Sequence, residues 1–239
     1  NSGGSGGGIQ CYNWSSPTLH NVTITENSAS YGGGVLGQGH MDSEFTNVLI
    51  ADNTALYYGG GVALSSDCNT TFTNVTITGN TAGGSGGGIK LIGNSRINLL
   101  NSILWNNEPE EVYLAGGPTD TGTDTISVYY SDIEGDSSEI VTTSYSTVIW
   151  GDGNVDTDPL FVDADNGDYH LSDLSPVISA AASDVTIDGV IYTAPTTDME
   201  GNPRPNPAGT VPDMGAYENE NGAGEYNGPV WYVDASAEL

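Results

Sequence analysis

Gly59-Gly60-Gly61-Val62 and, thirteen residues beyond Gly61, Asn74-Val75-Thr76-Ile77-Thr78-Gly79-Asn80 decide the fold, because both phrases recur. The triplet also stands at Gly6-Gly7-Gly8-Ile9, Gly32-Gly33-Gly34-Val35 and Gly86-Gly87-Gly88-Ile89. Its third glycines, Gly8, Gly34, Gly61 and Gly88, are 26, 27 and 27 residues apart. An asparagine follows each by thirteen residues (Asn21, Asn47, Asn74, Asn101), and a second comes six later (Asn27, Asn53, Asn80, Asn107). A fixed period in the twenties is the signature of a solenoid, in which each repeat forms one layer of a stack.

Within a repeat the pattern has period two. Val22 and Ile24, Val48 and Ile50, and Val75 and Ile77 face one way, with Ser102 and Leu104 in the fourth copy; Thr23 and Thr76 face the other. That alternation predicts strands with one buried face. Leu19, Phe45, Phe72 and Leu99 form a further apolar column, and Ile9, Val35, Val62 and Ile89 another. Coils stacked in register would lie about 4.8 Å apart. No 3.6-residue stripe marks a helix. The one-residue variation in period falls between the second asparagine and the next triplet, which predicts a loop there. The triplets predict a tight corner, where positive φ or close backbone approach excludes a Cβ. The asparagine columns fit either side-chain ladders or left-handed turn residues.

These phrases, GGG-[IV] and [FL]-x-N-x-T-I-T-x-N, resemble the repeats of bacterial right-handed parallel β-helix surface proteins, including polymorphic outer-membrane protein repeats. The resemblance implies an all-β, right-handed solenoid, a hand that also follows the general rule for parallel crossovers. Coils are expected over residues 1–150, regular to 107 and looser from 108, with Ser131 thirty residues on from Asn101. Gly153-Asn154-Val155-Asp156, Gly167-Asp168-Tyr169-His170-Leu171, Gly201-Asn202-Pro203-Arg204-Pro205 and Asp213-Met214-Gly215-Ala216-Tyr217-Glu218 resemble the C-terminal part of the "choice-of-anchor Q" β-helix proteins. That resemblance implies a region placed after the coils and before a tether to the envelope. Residues 151–218 are accordingly expected to cap the stack, since an open strand edge recruits other chains. Residues 219–239 read as a linker followed by a strand, Trp231-Tyr232-Val233, that resembles the start of another β-helix unit. Two readings follow: a piece of a longer chain, or head-to-tail self-association through strand addition.

Thirty-one acids against three bases give a formal charge of −28. Such a surface repels nucleic acid and anionic membranes, and no apolar run is long enough to enter a bilayer. It fits a secreted or cell-surface protein, in which Ca²⁺ can bridge carboxylates. Cys11 and Cys68 fall in different columns two coils apart, about 9–10 Å along the axis, beyond the ~7 Å reach of a disulfide. Cys11 is expected as a buried thiol.

Alternate oxygen-bearing residues at Asp152, Asn154, Asp156 and Asp158, with Asp163 eleven residues after Asp152, form the best candidate for a structural Ca²⁺ loop. The plain alternative is a run of Asx turns. Catalysis finds little support. Lys90 and Arg96 have no acidic cluster fixed beside them, the coil acids are scattered, and His20, His40 and His170 lack a recognised triad motif. Tyr31, Tyr57, Tyr58 and Trp105 could stack on sugar rings or serve as wall and interface residues. Tyr31 and Tyr58, each directly before a triplet, are expected to be neighbours. The sequence therefore reads as a structural or adhesive module and not an enzyme, with self-association or neighbouring domains as partners. The alternative is a β-helix that binds or cleaves carbohydrate, with glycans as ligands.

Overall fold

The computed structural model describes residues 2–116 and 122–222. The chain winds into a parallel solenoid with three walls. The first wall stacks Ser2–Gly3, Ser28–Tyr31, Thr54–Tyr58 and Thr81–Ala82. The second stacks Ile9–Tyr12, Val35–Gln38, Val62–Ser65, Ile89–Ile92, Val112–Leu114 and Ile140–Thr142. The third begins with Thr18–Thr25, Asp42–Ala51 and Asn69–Thr78. It then divides into Arg96–Leu100 with Ile103–Trp105, followed by Asp124–Tyr129 with Asp132–Ile133, and ends on Ser146–Trp150.

The register is that of like on like. Ile24, Ile50, Ile77, Leu104 and Ile133 stand in one column, and Val35, Val62, Ile89, Val112 and Ile140 in another. All of these are buried, each contributing roughly 1.5–3 kcal/mol of apolar transfer. Phe45 and Phe72 stack with centroids 4.8 Å apart, the spacing of neighbouring strands. Cys11 and Cys68 are both buried and free. The looser coils keep this register, with Ile97 over Ile126 and Leu99 over Val128. Tyr130, not Ser131, takes the left-handed place of Asn101, because Tyr129 pairs with Leu100; Ser131 lies under Ser102.

The triplets form the corner between the first and second walls. Gly6, Gly32, Gly59 and Gly86 have φ of 59–68°, a conformation that strains any residue with a Cβ. The third glycine is excluded by contact: a Cβ on Gly34 would lie 2.6 Å from the carbonyl oxygen of Gly61 in the next coil. The segment before each triplet differs from expectation. It is a strand of the first wall, not a loop. The extra residue of the 27-residue repeat is absorbed as a register shift between Ser28–Tyr31 and Thr54–Tyr58, which restores Tyr31 opposite Tyr58.

The second asparagine column is a ladder throughout, whereas the first is left-handed and also carries amide bonds from Asn47 to Asn21 Oδ1 at 3.1 Å and from Asn101 to Asn74 Oδ1 at 3.5 Å. Asn21, Asn47, Asn74 and Asn101 are left-handed, with φ of 52–55°. Asn27, Asn53, Asn80 and Asn107 form a ladder. Each of Asn27, Asn53 and Asn80 donates its backbone N–H and its Nδ2–H to the Oδ1 of the next rung, at 2.8–3.0 Å. The same Nδ2 groups reach back to the coil before, from Asn53 to the Ile24 carbonyl and from Asn80 to that of Ile50. Each inner amide thus ties three coils together.

The region expected to cap the stack mostly does something else. Only residues 151–157 lie on the last coil, where the Asp152 carbonyl accepts from the Tyr130 N–H and Val155 bridges Asp132. From Leu160 onward the chain runs back along the outside of the third wall. Tyr169 packs on Leu49 and Ala51, while Leu171, Val177, Ile178 and Met214 pack on Ile103, and Val185 and Ile187 on Leu100. The third wall is therefore buried on both faces where the flank crosses it, at Leu49, Ala51, Leu100 and Ile103. Two short antiparallel pairs, Phe161–Asp163 with Asp168–Leu171 and Asp184–Ile187 with Val190–Thr193, complete this flank.

Candidate functional site

The left-handed asparagines form the seam on which the flank docks. A left-handed residue turns its side chain out of the sheet plane, so the amides face residues 182–218. Asn47 donates to the Thr197 carbonyl at 2.8 Å, Asn74 to that of Asp213 at 3.0 Å and Asn101 to that of Ala182 at 2.8 Å. Arg204 locks the seam. Its Nε donates to Glu218 Oε2 at 2.7 Å, one terminal nitrogen to Asn47 Oδ1 at 3.0 Å and the other to the Gly215 carbonyl at 3.1 Å. Both charged side chains are fully buried. Burial pulls the guanidinium pKa down and Glu218 pushes it back up. Asp198 accepts from Glu200, Asn202 and Glu218, and Asp213 from Ser179 and Asn219. The Gly201–Pro205 and Asp213–Glu218 motifs are thus two halves of one knot, a role their spacing alone does not reveal.

A second acidic group sits where the asparagine ladder ends. A cleft of about 370 Å³ is lined by Glu108, Glu110, Glu111, Glu134 and Glu139. Glu111 is its buried member. It accepts from the Asn107 N–H at 2.8 Å and from Asn107 Nδ2 at 2.5 Å. Burial, partly offset by those two bonds and reinforced by the adjoining Glu134 carboxyl, pushes its pKa up to about 8. Glu134 in turn accepts from the Asn106 N–H at 2.7 Å. Inverting glycosidases hold their two carboxyls ~6.5–9.5 Å apart around a water, and retaining ones ~5–5.5 Å apart. Glu111 is engaged by the last rung of the ladder, and Glu134 by the backbone N–H of the neighbouring Asn106.

His170, which lacks a triad motif in the sequence, nevertheless has two acidic partners. Its Nδ1 lies 2.6 Å from Asp168 Oδ1, its Nε2 3.4 Å from Glu200 Oε2, and its ring 4.2 Å from Tyr217. Burial lowers its pKa, but the two carboxylates outweigh burial and raise it. The signal was local: Asp168 and His170 are two apart on a strand and share a face. A triad-type base needs one nitrogen oriented and the other free. Here both nitrogens face carboxylates, so the imidazole bridges them.

The turn from the second wall toward the third repeats as two consecutive positive-φ residues, the pattern of a type I′ turn: Asn13-Trp14, Gly39-His40, Ser66-Asp67 and Gly93-Asn94. Its second positions line up. Trp14, 75% exposed, stacks on His40 at 4.3 Å; His40 Nε2 is 4.0 Å from Asp67; Asn94 Nδ2 donates to Asp67 at 2.6 Å.

The five calcium candidates are not gathered at one point. Asn154 accepts from the Ser131 N–H and donates to the Val128 carbonyl. Asp156 accepts from the Gly135 N–H, Asp158 from the Leu160 N–H, and Asp163 from Asn166 Nδ2. Asp152 is exposed. Among the described residues no group of three His, Cys, Asp or Glu side chains converges as metal ligands. Lys90 and Arg96 lie on different walls. Lys90 donates to Ser85 Oγ and sits 3.3 Å over the Tyr113 ring, and burial lowers its pKa to about 8. Tyr31 and Tyr58 are ring neighbours at 4.5 Å. Trp231, Tyr232 and Val233 lie outside the described residues. Among the described residues no helix is long and apolar enough to cross a membrane.

A family model described as "Right handed beta helix region" matches residues 5–154, the stretch that carries the coils. No curated protein and no solved structure matches the chain.

Proposed function

We propose, from the premise that this chain belongs to the right handed beta helix family, that it is an extracellular structural or adhesive module of a bacterial surface protein or fibre. One observation carries this reading: the buried acids of the coils are already committed to holding coils together. Glu111 takes both donors of Asn107, and Asp132 accepts from Thr157 across the last coil. A stiff, acidic rod with its polar interior spent on registry serves reach and support. Its neighbours would be further domains or further copies continuing the sheets through strand addition. Negative-stain electron microscopy of the native material tests the reading. Rods or fibres built from stacked β-helix units support it, while steady release of products from a polysaccharide, lost in Glu134→Gln, sinks it.

A second reading, carbohydrate binding, rests on the Trp14 column. An exposed indole in line with an imidazole, a carboxylate and an amide offers a stacking face and hydrogen-bond partners for a sugar. A left-handed tryptophan is also a backbone conformation that costs free energy and is retained at functional positions. Glycan-array binding that disappears in Trp14→Ala would favour this reading.

A further inference from the structure

The ten strands of the first and second walls contain no aspartate and no glutamate, in a chain with 31. Their one charged residue, Lys90, is buried against Ser85 and Tyr113. The carboxylates lie on the third wall, along the flank, and at Glu108–Glu111, where Glu108 bridges Thr81 and continues the first wall past its last strand. A net charge of −28 makes two copies repel through almost any contact. The first four coils of this face are where they can meet without placing carboxylate against carboxylate.

The face also has relief. Leu56 and Tyr57 project, 62% and 50% exposed, and Tyr31 stacks on Tyr57 at 5.1 Å and on Tyr58 at 4.5 Å. In the next coil the same places are Gly83 and Gly84, which lie directly against the Leu56 and Tyr57 carbonyls. A knob of aromatic and aliphatic side chains thus stands beside a bare glycine step. Outward-facing Leu36 and Ala63 on the second wall are buried, close against the corner glycines Gly32 and Gly59.

We propose that two copies of this chain pair side by side through the first and second walls. A two-fold axis passing between knob and step sets the Leu56–Tyr57 knob of each copy on the Gly83–Gly84 step of the other, the self-complementarity an isologous contact requires. Four strands of the first wall and six of the second, about 4.8 Å apart and up to about 13 Å long, with the corner between them, give at most on the order of 700 Å² per partner. That is just under the ~800 Å² of a standard interface, so the pairing is weak and favoured by salt, which screens the acidic remainder. A lateral pair stops at two copies, whereas end-to-end growth does not, so the two forms of association are told apart by size.

Sedimentation velocity on the protein, from micromolar to millimolar concentration at low and high salt, tests the proposal. The expected result is a rise toward twice the 24.7 kDa chain mass, stronger at high salt. The double variant Leu56→Asp/Tyr57→Asp should weaken pairing at least tenfold with an unchanged melting midpoint, because both side chains are exposed. Val190→Asp/Ile191→Asp, on the exposed hairpin of the flank, should leave pairing intact. A wild-type protein that stays monomeric at millimolar concentration in high salt overturns the proposal, as does a wall variant that pairs normally or a hairpin variant that does not. Monomers that instead bind a neutral oligosaccharide, and lose it in Tyr57→Ala, assign the face to sugar and overturn it equally.

Discussion

Glu111 completes the asparagine ladder by standing in for the rung that would follow Asn107. Its two carboxyl oxygens accept the Asn107 N–H and Nδ2–H, the same two donors that a single amide oxygen accepts from Asn27, Asn53 and Asn80 higher in the column. A ladder of amides is directional, and its last donors must meet an acceptor or be buried unsatisfied. A carboxyl does this, at the cost of a buried acid beside Glu134.

That cost makes stability depend on pH in a defined direction. Glu111 is raised from about 4.5 to about 8, chiefly by burial, and burial likewise raises Asp132 and Asp213 from about 3.8 to about 7. Between those values the folded chain holds protons that the unfolded chain releases, so stability falls as pH rises. The contribution is fully present below the unfolded values and is lost as pH climbs through 7 to 8. The melting midpoint should therefore rise when the protein is moved from pH 8 to pH 5. Glu111→Gln supplies one oxygen for both Asn107 donors and an amide for Glu134. It should raise the midpoint at pH 8 and flatten the slope, and a slope as steep as wild type would remove Glu111 from the account.

The inner rungs should matter more than the outer one. Asn80→Ala removes the acceptor of two Asn53 donors, the donor to the Ile50 carbonyl and the partner of Asn107. At ~1–3 kcal/mol for each buried group left unsatisfied, the loss should be roughly 3–6 kcal/mol in urea unfolding. Asn27→Ala, at the partly exposed end, should cost about 1 kcal/mol. Equal costs for the two would mean that the ladder does not act as a chain.

The oxygen atoms of the Asp152–Asp163 stretch are largely spent. Asn154, Asp156, Asp158 and Asp163 each accept a hydrogen bond from within the fold, three of them from backbone N–H groups. Asp158 makes an Asx turn, Asn154 and Asp156 tie the stretch to residues 131 and 135 of the coil before, and a cation would have to displace those donors. The melting midpoint is expected to be the same with EDTA as with millimolar Ca²⁺. A calcium-dependent rise that Asp156→Asn abolishes would show that the loop reorganises around the ion.

The coils were legible in the sequence because inward positions are filled from a narrow set at fixed spacing. Val48 over Val75 and Ile50 over Ile77 follow directly from that repetition. The first wall was not legible: Ser28–Tyr31 and Thr81–Ala82 offer small residues without alternation, and the bulge hid the strand as a length change. The position of the flank was missed for another reason. A clue lay at the outward positions, where Leu49, Ala51 and Ile103 interrupt columns otherwise filled by Thr23, Thr25, Thr76 and Thr78. Apolar residues on both faces mark a strand covered from both sides. Which segment covers it is a long-range contact, and no local pattern encodes that. The bridging role of His170 has no local signature, because its second carboxylate, Glu200, is thirty residues away along the chain.

Arg204 should be the single residue on which the flank depends. It spans Glu218, the Gly215 carbonyl and Asn47, so it joins both flank motifs to the second coil at once. Arg204→Ala leaves Glu218 buried without its cation, and breaking a buried pair from one side typically costs 3–5 kcal/mol. Because the coils keep their own core, the loss should fall on residues 160–222. Limited proteolysis should cut there first, while the coils, with their inter-coil bonds intact, stay protected. Arg204→Met with Glu218→Leu removes both charges and should recover much of the loss. If the single variant instead melts the whole chain in one transition with no early cleavage, the flank and the coils form one cooperative unit.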